Sequence, residues 1–300
     1  MKNLTKKILA FAFIIATASL STTASASDKI TIAHYYKAGG GADSGTNVLI
    51  ESLQQTGYQN IEVKYFKSCD KALSFVSTNL NSYMVGGNEN YDFSDNSKCK
   101  YNQYTNVKPI SAIYKAGLYV CTAVGKTFTL DNLLAREAEL SVATVSGDGS
   151  LWLSKWIKDN NLSLKIINYD GSKSTTAAAL AGDVDLVLAG SKYQKLLEKG
   201  ATCFLSSETI NKLSLPSMGA KPLKSLGYIP YGFEAMLFSE HRNAGFEQAL
   251  KKAVNQENFI NFMQKNGFTF NGINNTRTVE QFNAYIENYV TEISKLRNLK

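Results

Sequence analysis

The spacing of apolar and polar residues predicts strands and helices that alternate along most of the chain. The first strand begins at Ile30, and three glycines separate it from a helix with Ala42, Thr46, Leu49 and Leu53 on one face. Other short apolar or alternating runs predict strands, and apolar residues three or four positions apart predict helices. The predicted strands are 61–66, 83–87, 110–124, 140–145, 164–168, 184–188 and 201–205, and the predicted helices are 70–80, 175–181, 193–199, 246–262 and 278–296, together with one that carries Trp152 and Trp156.

This order of elements predicts an α/β fold with mainly parallel sheets flanked by helices. The apolar segment 110–124 is long enough to pass between two lobes. Three of the four prolines, Pro216, Pro222 and Pro230, fall in one short stretch, which indicates irregular chain and a second passage. We therefore expect two lobes with two crossover segments. The expected first lobe is 28–111 with 226–300, and the expected second lobe is 112–225.

The first 26 residues have the pattern of a secretory signal peptide. Three lysines precede the apolar run 8–20, and an Ala-Ser-Ala cleavage signal follows at 24–26. The alternative is an uncleaved membrane anchor, but the apolar run is shorter than a spanning helix requires. We expect an exported mature protein, and no other stretch of the sequence is long and apolar enough to span a bilayer.

Composition narrows the classes of function. The chain is 44% hydrophobic and 19% charged, so it has enough apolar residues to form hydrophobic cores. The net charge of +7 falls to +4 without the three signal-peptide lysines, and no dense basic run with interleaved aromatics occurs. We therefore expect no nucleic-acid partner, and the modest positive balance fits an anionic ligand.

The four cysteines all lie in the expected mature part. An even count in an exported chain suggests two disulfides with three possible pairings, of which Cys69–Cys99 and Cys121–Cys203 are favoured. Reduced, buried thiols are the alternative. No C-x-x-C motif is present and the two histidines are far apart in sequence, so neither a metal site nor a cofactor is expected.

The glycine turn after the first strand is the strongest candidate for chemistry. Gly39, Gly40 and Gly41 join a strand to the start of a helix that continues with Ala42 and Asp43. A helix N-terminus offers unpaired N–H groups and the positive end of a dipole, which suits an anion. The nucleotide motifs G-x-G-x-x-G and G-x-x-x-x-G-K-[ST] are absent. The alternative is a strand-to-helix turn that binds nothing.

A second glycine-containing turn also joins a predicted strand to the N-terminus of a predicted helix. Residues Ser146 to Ser150 leave a predicted strand and open the helix that carries Trp152 and Trp156, which we expect to be core residues. Either Asp148 or Ser150 is expected to cap that helix, and an ordinary capped loop is the alternative. No G-x-S-x-G nucleophile motif or recognisable histidine motif supports catalysis.

Several segments together resemble one family. The segments are Tyr36-Lys-Ala-Gly-Gly-Gly-Ala-Asp43, Ser146-Gly-Asp-Gly-Ser-Leu151, Tyr169-Asp-Gly-Ser172, Ala179-Leu-Ala-Gly-Asp-Val-Asp185, Gly227-Tyr228 and Tyr231-Gly232. Their order and spacing resemble those of the Bug-type periplasmic solute receptors of tripartite tricarboxylate transporters. Two segments differ from the family pattern. Residues 66–71 stand where the family usually has Pro-Gly-Ala-Gly-Gly, and Asp148 stands among residues that are usually small, so the chain resembles a divergent member.

The resemblance implies a two-lobed Venus-flytrap fold that closes on a small carboxylate in the periplasm. It also implies a monomeric binding protein, not an enzyme, that delivers its ligand to a large and a small membrane subunit. A receptor for a membrane sensor kinase and an exported α/β enzyme are the alternatives. The expected ligand-binding residues are Tyr36, Gly39, Gly40, Gly41, Ala42, Asp43, Ser146, Gly147, Asp148, Gly149, Ser150, Tyr169, Gly171, Ser172 and Gly190.

Overall fold

A computed structural model describes most of the chain after its first 28 residues. The described residues are 29–87, 99, 103–135, 139–145, 148–206, 221–222, 232–269, 284, 287, 288, 290, 291, 294 and 295. The expected signal peptide and the proline-rich crossover segment, apart from 221–222, lie outside these residues. So do Ser146 and Gly147 of the second turn.

The first sheet has six strands in the order β2-β1-β3-β11-β4-β12. Helices α1 and α2 connect its first three strands, and α7 and α8 precede its last strand. The elements are β1 Ile30–His34, α1 Gly41–Gln55, β2 Ile61–Tyr65, α2 Cys69–Thr78, β3 Ser82–Gly87, β4 Lys108–Gly117, β11 Gly232–Ser239, α7 Ala244–Ala253, α8 Glu257–Lys265 and β12 Phe268–Thr269.

The second sheet also has six strands, in the order β7-β6-β8-β5-β9-β10. Its elements alternate as strand and helix from β6 to β9. They are β5 Tyr119–Thr122, α3 Leu130–Leu134, β6 Leu140–Val145, α4 Asp148–Asp159, β7 Leu164–Tyr169, α5 Ser172–Ala181, β8 Leu186–Ala189, α6 Tyr193–Leu197, β9 Cys203–Ser206 and β10 Lys221–Pro222.

The predicted α/β fold is confirmed, and both sheets are mixed. In the first sheet β1 pairs in parallel with β2 and β3, whereas β11 is antiparallel to both of its neighbours, β3 and β4, and β12 is antiparallel to β4. In the second sheet β5 is antiparallel to β8 and β9, because β4 and β5 form one nearly continuous extended segment that enters this sheet against the direction of its βαβ strands. Because β4 pairs with the first sheet as far as Gly117, this passage lies at Leu118, later than the expected boundary after Ser111.

Each sheet is covered on both faces because its buried strands carry apolar side chains on both sides. Ile30 and Ile32 of β1 pack on the α1 face, and Ala33 packs on the α2 face. In the second sheet the predicted core role of Trp152 and Trp156 is confirmed, since both are buried on the α4 face. Each lobe is thus a doubly wound unit with its own core.

The predicted helix 246–262 is wrong as a single element, because the structure has two helices there. Buried residues of α7 are Phe246, Ala249, Leu250 and Ala253, a face that one straight helix would continue at Glu257. The buried residues of α8 are instead Phe259 and Met263, and the break before Glu257 rotates this second apolar face toward the core.

Both favoured disulfides are confirmed. Cys69 at the start of α2 is bonded to Cys99, and Cys121 on β5 is bonded to Cys203 on the neighbouring strand β9. None of the helices within the described residues has the length and apolar character needed to cross a bilayer. That same part of the chain contains no group of three or more metal-ligating side chains able to hold an ion.

Candidate functional site

The topology places each predicted turn at a similar position in its sheet. β1 lies between β2 and β3 and pairs in parallel with both, and β6 lies between β7 and β8 in the same way. In open α/β sheets, ligands bind beyond the carboxyl end of the strand where the order reverses. The turn that begins after His34 occupies this position in the first sheet, and the described start of α4 follows β6 in the second.

The first turn leaves the start of α1 without a side-chain cap. Gly39 has a left-handed conformation with φ +74°, and the N–H of Gly40 donates to the carbonyl of Lys37 at 3.2 Å. Gly40 is the N-cap and has no side chain to accept a hydrogen bond. The N–H groups of Gly41 and Ala42 at the positive end of a 15-residue helix are therefore suited to an anion.

Asp43 takes part in the turn from within the first helical turn. It is only 5% exposed, and its Oδ2 accepts a hydrogen bond from the N–H of Gly39 at 2.7 Å. Its Oδ1 accepts from the hydroxyl of Tyr65 at 2.5 Å. Hydrogen bonding to this carboxylate, with smaller contributions from burial and from the negative charge, raises the pKa of Tyr65 to about 12.

His34 lies beneath the turn at the end of β1 and is fully buried. Its Nδ1 lies 3.2 Å from the carbonyl oxygen of Tyr36, which requires Nδ1 to carry the proton. Burial lowers the pKa of His34, although the charge of Asp43 and nearby carbonyl groups oppose part of this shift. The imidazole is therefore a neutral support for the turn.

Tyr36 lies at the start of the turn and is half-buried. Its ring packs at 4.2 Å from the ring of Tyr35, whose hydroxyl donates to the hydroxyl of Tyr36 at 2.7 Å. The ring of Tyr36 also lies edge-on to His34 at 5.5 Å. This arrangement places an aromatic wall beside the glycine turn, with a polar edge formed by two hydroxyl groups.

In the second lobe the start of α4, which is the described part of the predicted turn, lies against the crossover residue Leu118. Helix α4 begins at Asp148, and Ser150 in its first turn is half-buried. A Cβ atom added to Gly149 would lie 2.9 Å from Cδ1 of Leu118, so only a glycine fits there without movement. A Cβ atom added to Gly190 would lie 4.0 Å from Cδ2, the other methyl group of Leu118.

The turn between β7 and α5 also faces the first lobe. Tyr169 ends β7, Gly171 is the N-cap of α5 and has no side chain, and Ser172 begins the helix. The neighbouring Asp170 forms an ion pair with Lys37 at 3.2 Å between the lobes. The predicted segment 169–172 is thus next to the first glycine turn.

Ser191 is a candidate that the sequence analysis did not identify. It follows Gly190 in the connection between β8 and α6, and a Cβ atom added to Gly41 would lie 2.9 Å from its Oγ. A hydroxyl group from the second lobe therefore stands at the start of α1. The adjacent glycine was the only sequence signal, because the contact depends on how the lobes pack.

The lobes also meet in a more buried region. Tyr193 at the start of α6 is fully buried, and a Cβ atom added to Gly267 would lie 2.4 Å from its ring. Gln194 donates from Nε2 to the carbonyl of Gln264 at 3.4 Å. Two predicted segments of the second lobe thus border the first turn: Gly190 through its neighbour Ser191, which approaches Gly41, and 169–172 through the ion pair of Asp170 with Lys37. Gly149 instead contacts the crossover.

Comparison with solved structures identifies the fold. BugD, a periplasmic binding protein, is 16% identical, with a TM-score of 0.71 over 89% of this chain and 96% of that chain. A protein from R. palustris solved with adipate is 13% identical, with a TM-score of 0.72 over 90% of this chain and 96% of that one. MatC from Rhodopseudomonas palustris with bound malate is 13% identical, with a TM-score of 0.67 over 89% and 98%.

Comparisons of sequence add nothing to these structural matches. No protein-family model matches the chain, and no curated protein matches it in sequence. The resemblance carried by the glycine-rich turns is nevertheless confirmed at the level of fold, because the similarity extends over about nine-tenths of the chain. The protein therefore has the two-lobed α/β fold of the periplasmic binding proteins, including BugD and the adipate- and malate-bound proteins of R. palustris.

Proposed function

We propose that the protein is a periplasmic solute-binding receptor. It captures a small organic anion, a carboxylate, in the cleft between its lobes and releases it chemically unchanged. It delivers the ligand to the large and small membrane subunits of a tripartite tricarboxylate-type transporter. The two disulfides support an oxidising compartment such as the periplasm.

The observation that carries this proposal is the approach of Ser191 to the start of α1. The N–H groups of Gly41 and Ala42 point from a helix N-terminus that its N-cap residue cannot satisfy. The hydroxyl of Ser191 comes to the same place from the other lobe. A carboxylate accepts several hydrogen bonds at once, so it suits donors that converge from two sides.

The second lobe supplies further groups around this point. Gly171 is the N-cap residue of α5 and has no side chain to cap the helix, so the first N–H groups of α5 have no side-chain acceptor there. Tyr169 and Ser172 are half-buried beside this helix N-terminus. Tyr36 forms the aromatic wall on the first lobe. Closing the lobes over such a ligand removes water from the hydrogen bonds, which strengthens their electrostatic part.

The proposed ligand-binding residues are those expected from the sequence, with Ser191 added. Two solved proteins of the same fold contain malate and adipate, which supports a carboxylate as the ligand class. The set is Tyr36, Gly39, Gly40, Gly41, Ala42, Asp43, Ser146, Gly147, Asp148, Gly149, Ser150, Tyr169, Gly171, Ser172, Gly190 and Ser191.

Isothermal titration of the purified mature protein with malate, succinate, adipate and benzoate tests the proposal. At least one acid is expected to bind, while the neutral diester of the same acid does not, because the site recognises the negative charge. Recovery of the unchanged acid after long incubation is expected for a receptor. Absence of heat and of any melting-temperature shift across the panel would contradict the function.

A serine deletion tests the site itself. Ser191→Ala is expected to weaken binding of the acid about fivefold to tenfold through the loss of one hydrogen bond to a charged group. Ser163→Ala is the matched control, because Ser163 is exposed in the turn before β7, at the opposite end of that strand. Equal affinities of the two variants would exclude Ser191 from the site.

A further inference from the structure

Asp43 joins four segments of the first lobe at a buried point. Its carboxylate accepts one hydrogen bond from the glycine turn and one from β2, and the residue itself belongs to α1. The register of the parallel pair β1–β2 sets Tyr65 opposite His34, and the two rings lie 5.5 Å apart. The end of β1, the turn, the helix and the end of β2 are therefore tied together.

We propose that Tyr65 is a positioning residue for the anion site, acting through Asp43 on the conformation of Gly39. This inference rests on the proposed function, because it concerns the same site. Tyr65 was not among the residues predicted from the sequence. Its hydroxyl occupies one oxygen of Asp43 and thereby leaves the other oxygen directed at the N–H of Gly39.

The physical reason lies in the burial of the carboxylate. A buried carboxylate needs donors for both oxygens, and an oxygen that loses its donor draws water in or turns away. Gly39 is held at φ +74°, and a Cβ there would meet no atom within 4 Å, so side-chain packing does not fix this residue. Two hydrogen bonds restrain it instead: the one from Gly40 N–H to Lys37, which closes the turn, and the one from its own N–H to Asp43, which Tyr65 holds in place.

One consequence concerns the ligand. The N–H of Gly39 is already occupied by Asp43, so an anion in the cleft has the N–H groups of Gly41 and Ala42 as its backbone donors. Asp43 also carries a negative charge at the same helix terminus. The hydrogen bonds from Tyr65 and Gly39 stabilise that charge within the protein, which reduces its repulsion of the ligand.

Amide hydrogen exchange of Gly39, followed by NMR without ligand, tests the inference directly. Tyr65→Phe removes only the hydroxyl and is expected to speed this exchange about tenfold through loss of one hydrogen bond to the carboxylate. Tyr83→Phe is the matched control, because the ring of Tyr83 packs on Phe246 at 4.2 Å and the group beside its hydroxyl is the backbone of Asn243, not Asp43. Equal exchange in the two variants would overturn the inference, whatever the protein binds.

A conservative change at Asp43 separates geometry from charge. Asp43→Asn can still accept from Gly39 and can donate to the oxygen of Tyr65, so it keeps both links without the charge. Gly39 is expected to exchange in this variant within about twofold of the original protein, compared with about tenfold faster in Tyr65→Phe. Equally fast exchange in both would show that charge alone holds the turn, and would overturn the role of Tyr65.

Affinity for the acid that binds best in the titration panel completes the test. Tyr65→Phe is expected to weaken it about tenfold, and Tyr83→Phe to leave it unchanged. If Tyr65→Phe frees the Gly39 amide but binds the acid normally, the turn does not position the anion and the inference fails. If the unaltered protein binds no acid, the proposed function fails, and the exchange data still decide whether Tyr65 controls the turn.

Discussion

The two contacts at the extremes of the interface between the lobes differ in character. In the inner contact, Tyr193 is fully buried and lies so close to Gly267 that a Cβ atom there would be 2.4 Å from the ring. In the outer contact, Lys37 and Asp170 form an ion pair at 3.2 Å with side chains 70% and 86% exposed. The inner contact depends on close packing, and the outer contact is an ion pair that solvent screens.

A third contact, between Gly41 and Ser191, is intermediate because both residues are half-buried. Its atoms are those proposed to hold the anion. We propose that the inner contact sets the spacing of the lobes, that the middle contact binds the ligand, and that the outer contact contributes little to stability. Substitutions at each contact are therefore expected to have effects that fall from the inside outward.

The largest effect is expected from Gly267→Ala at the inner contact. The new Cβ meets the ring of Tyr193, and Gly267 has φ +68°, which disfavours any side chain. Together the strain and the overpacking are expected to lower the free energy of unfolding by about 2–4 kcal/mol. Chemical denaturation measures this loss, and small-angle scattering is expected to show lobes that are further apart.

Gly125→Ala is the matched control for the strain that a side chain causes in a left-handed backbone conformation. Gly125 has φ +79°, and a Cβ there would meet no atom within 4 Å. This variant is expected to lose only about 1–2 kcal/mol and to keep the original scattering profile. A loss as large as that of Gly267→Ala would mean that backbone strain, not the contact with Tyr193, dominates at the inner position.

The next effect is expected from Gly41→Ala at the middle contact. The added Cβ would lie 2.9 Å from Ser191 Oγ, so it occupies space between the helix N-terminus and the second lobe. Affinity for the carboxylate is expected to fall about tenfold, as for overpacking that costs about 1–2 kcal/mol. Titration calorimetry measures this change.

A double-mutant cycle shows whether the collision is the cause. In the Ser191→Ala background the hydroxyl is gone, so Gly41→Ala is expected to cost clearly less affinity than in the original protein. The same loss of affinity in both backgrounds would show that Gly41 and Ser191 are not coupled, and it would contradict a role of this contact in ligand binding.

A pH effect follows from the buried support of the middle contact. Burial lowers the pKa of His34 from its usual 6.5, so the folded protein resists a proton that the unfolded chain accepts. The resulting stability is fully present above pH 6.5 and is lost as pH falls from there toward the lower folded pKa. Melting curves from neutral to acid pH are therefore expected to fall less steeply for His34→Gln than for the original protein.

His241→Gln is the control for the loss of one imidazole, since His241 is the only other histidine in the chain. Its melting curves are expected to keep the acid slope of the original protein. If His34→Gln keeps that slope too, burial of His34 does not govern acid stability, and the turn depends on other groups.

Local signals were sufficient to predict much of the fold. The bounds of β6 are those predicted, and Trp152 and Trp156 pack in the core, because each depends on patterns within a few residues. The mixed direction of the sheets and the break between α7 and α8 depend on how distant segments pack. No local periodicity carries that information.

The candidate site also combines features that local sequence predicts with features that depend on the packing of distant segments. Gly39 to Asp43 are recognisable because a glycine run before a helix is a local motif. The link from Tyr65 to Asp43 needs the parallel register of β1 and β2, and the approach of Ser191 to Gly41 needs the packing of two lobes. Both residues are ordinary members of a strand and a turn in the sequence, so only the three-dimensional structure identifies them.

The smallest effect is expected from Lys37→Ala at the outer contact. Two exposed side chains gain little from an ion pair in water, because solvent screens the charges and both side chains lose freedom. The free energy of unfolding is expected to change by less than about 0.5 kcal/mol, and added salt is expected to remove the difference. Denaturation curves at low and high salt measure both values. A larger loss, insensitive to salt, would mean that the outer contact also sets the spacing of the lobes, and the ordering from inside to outside would fail.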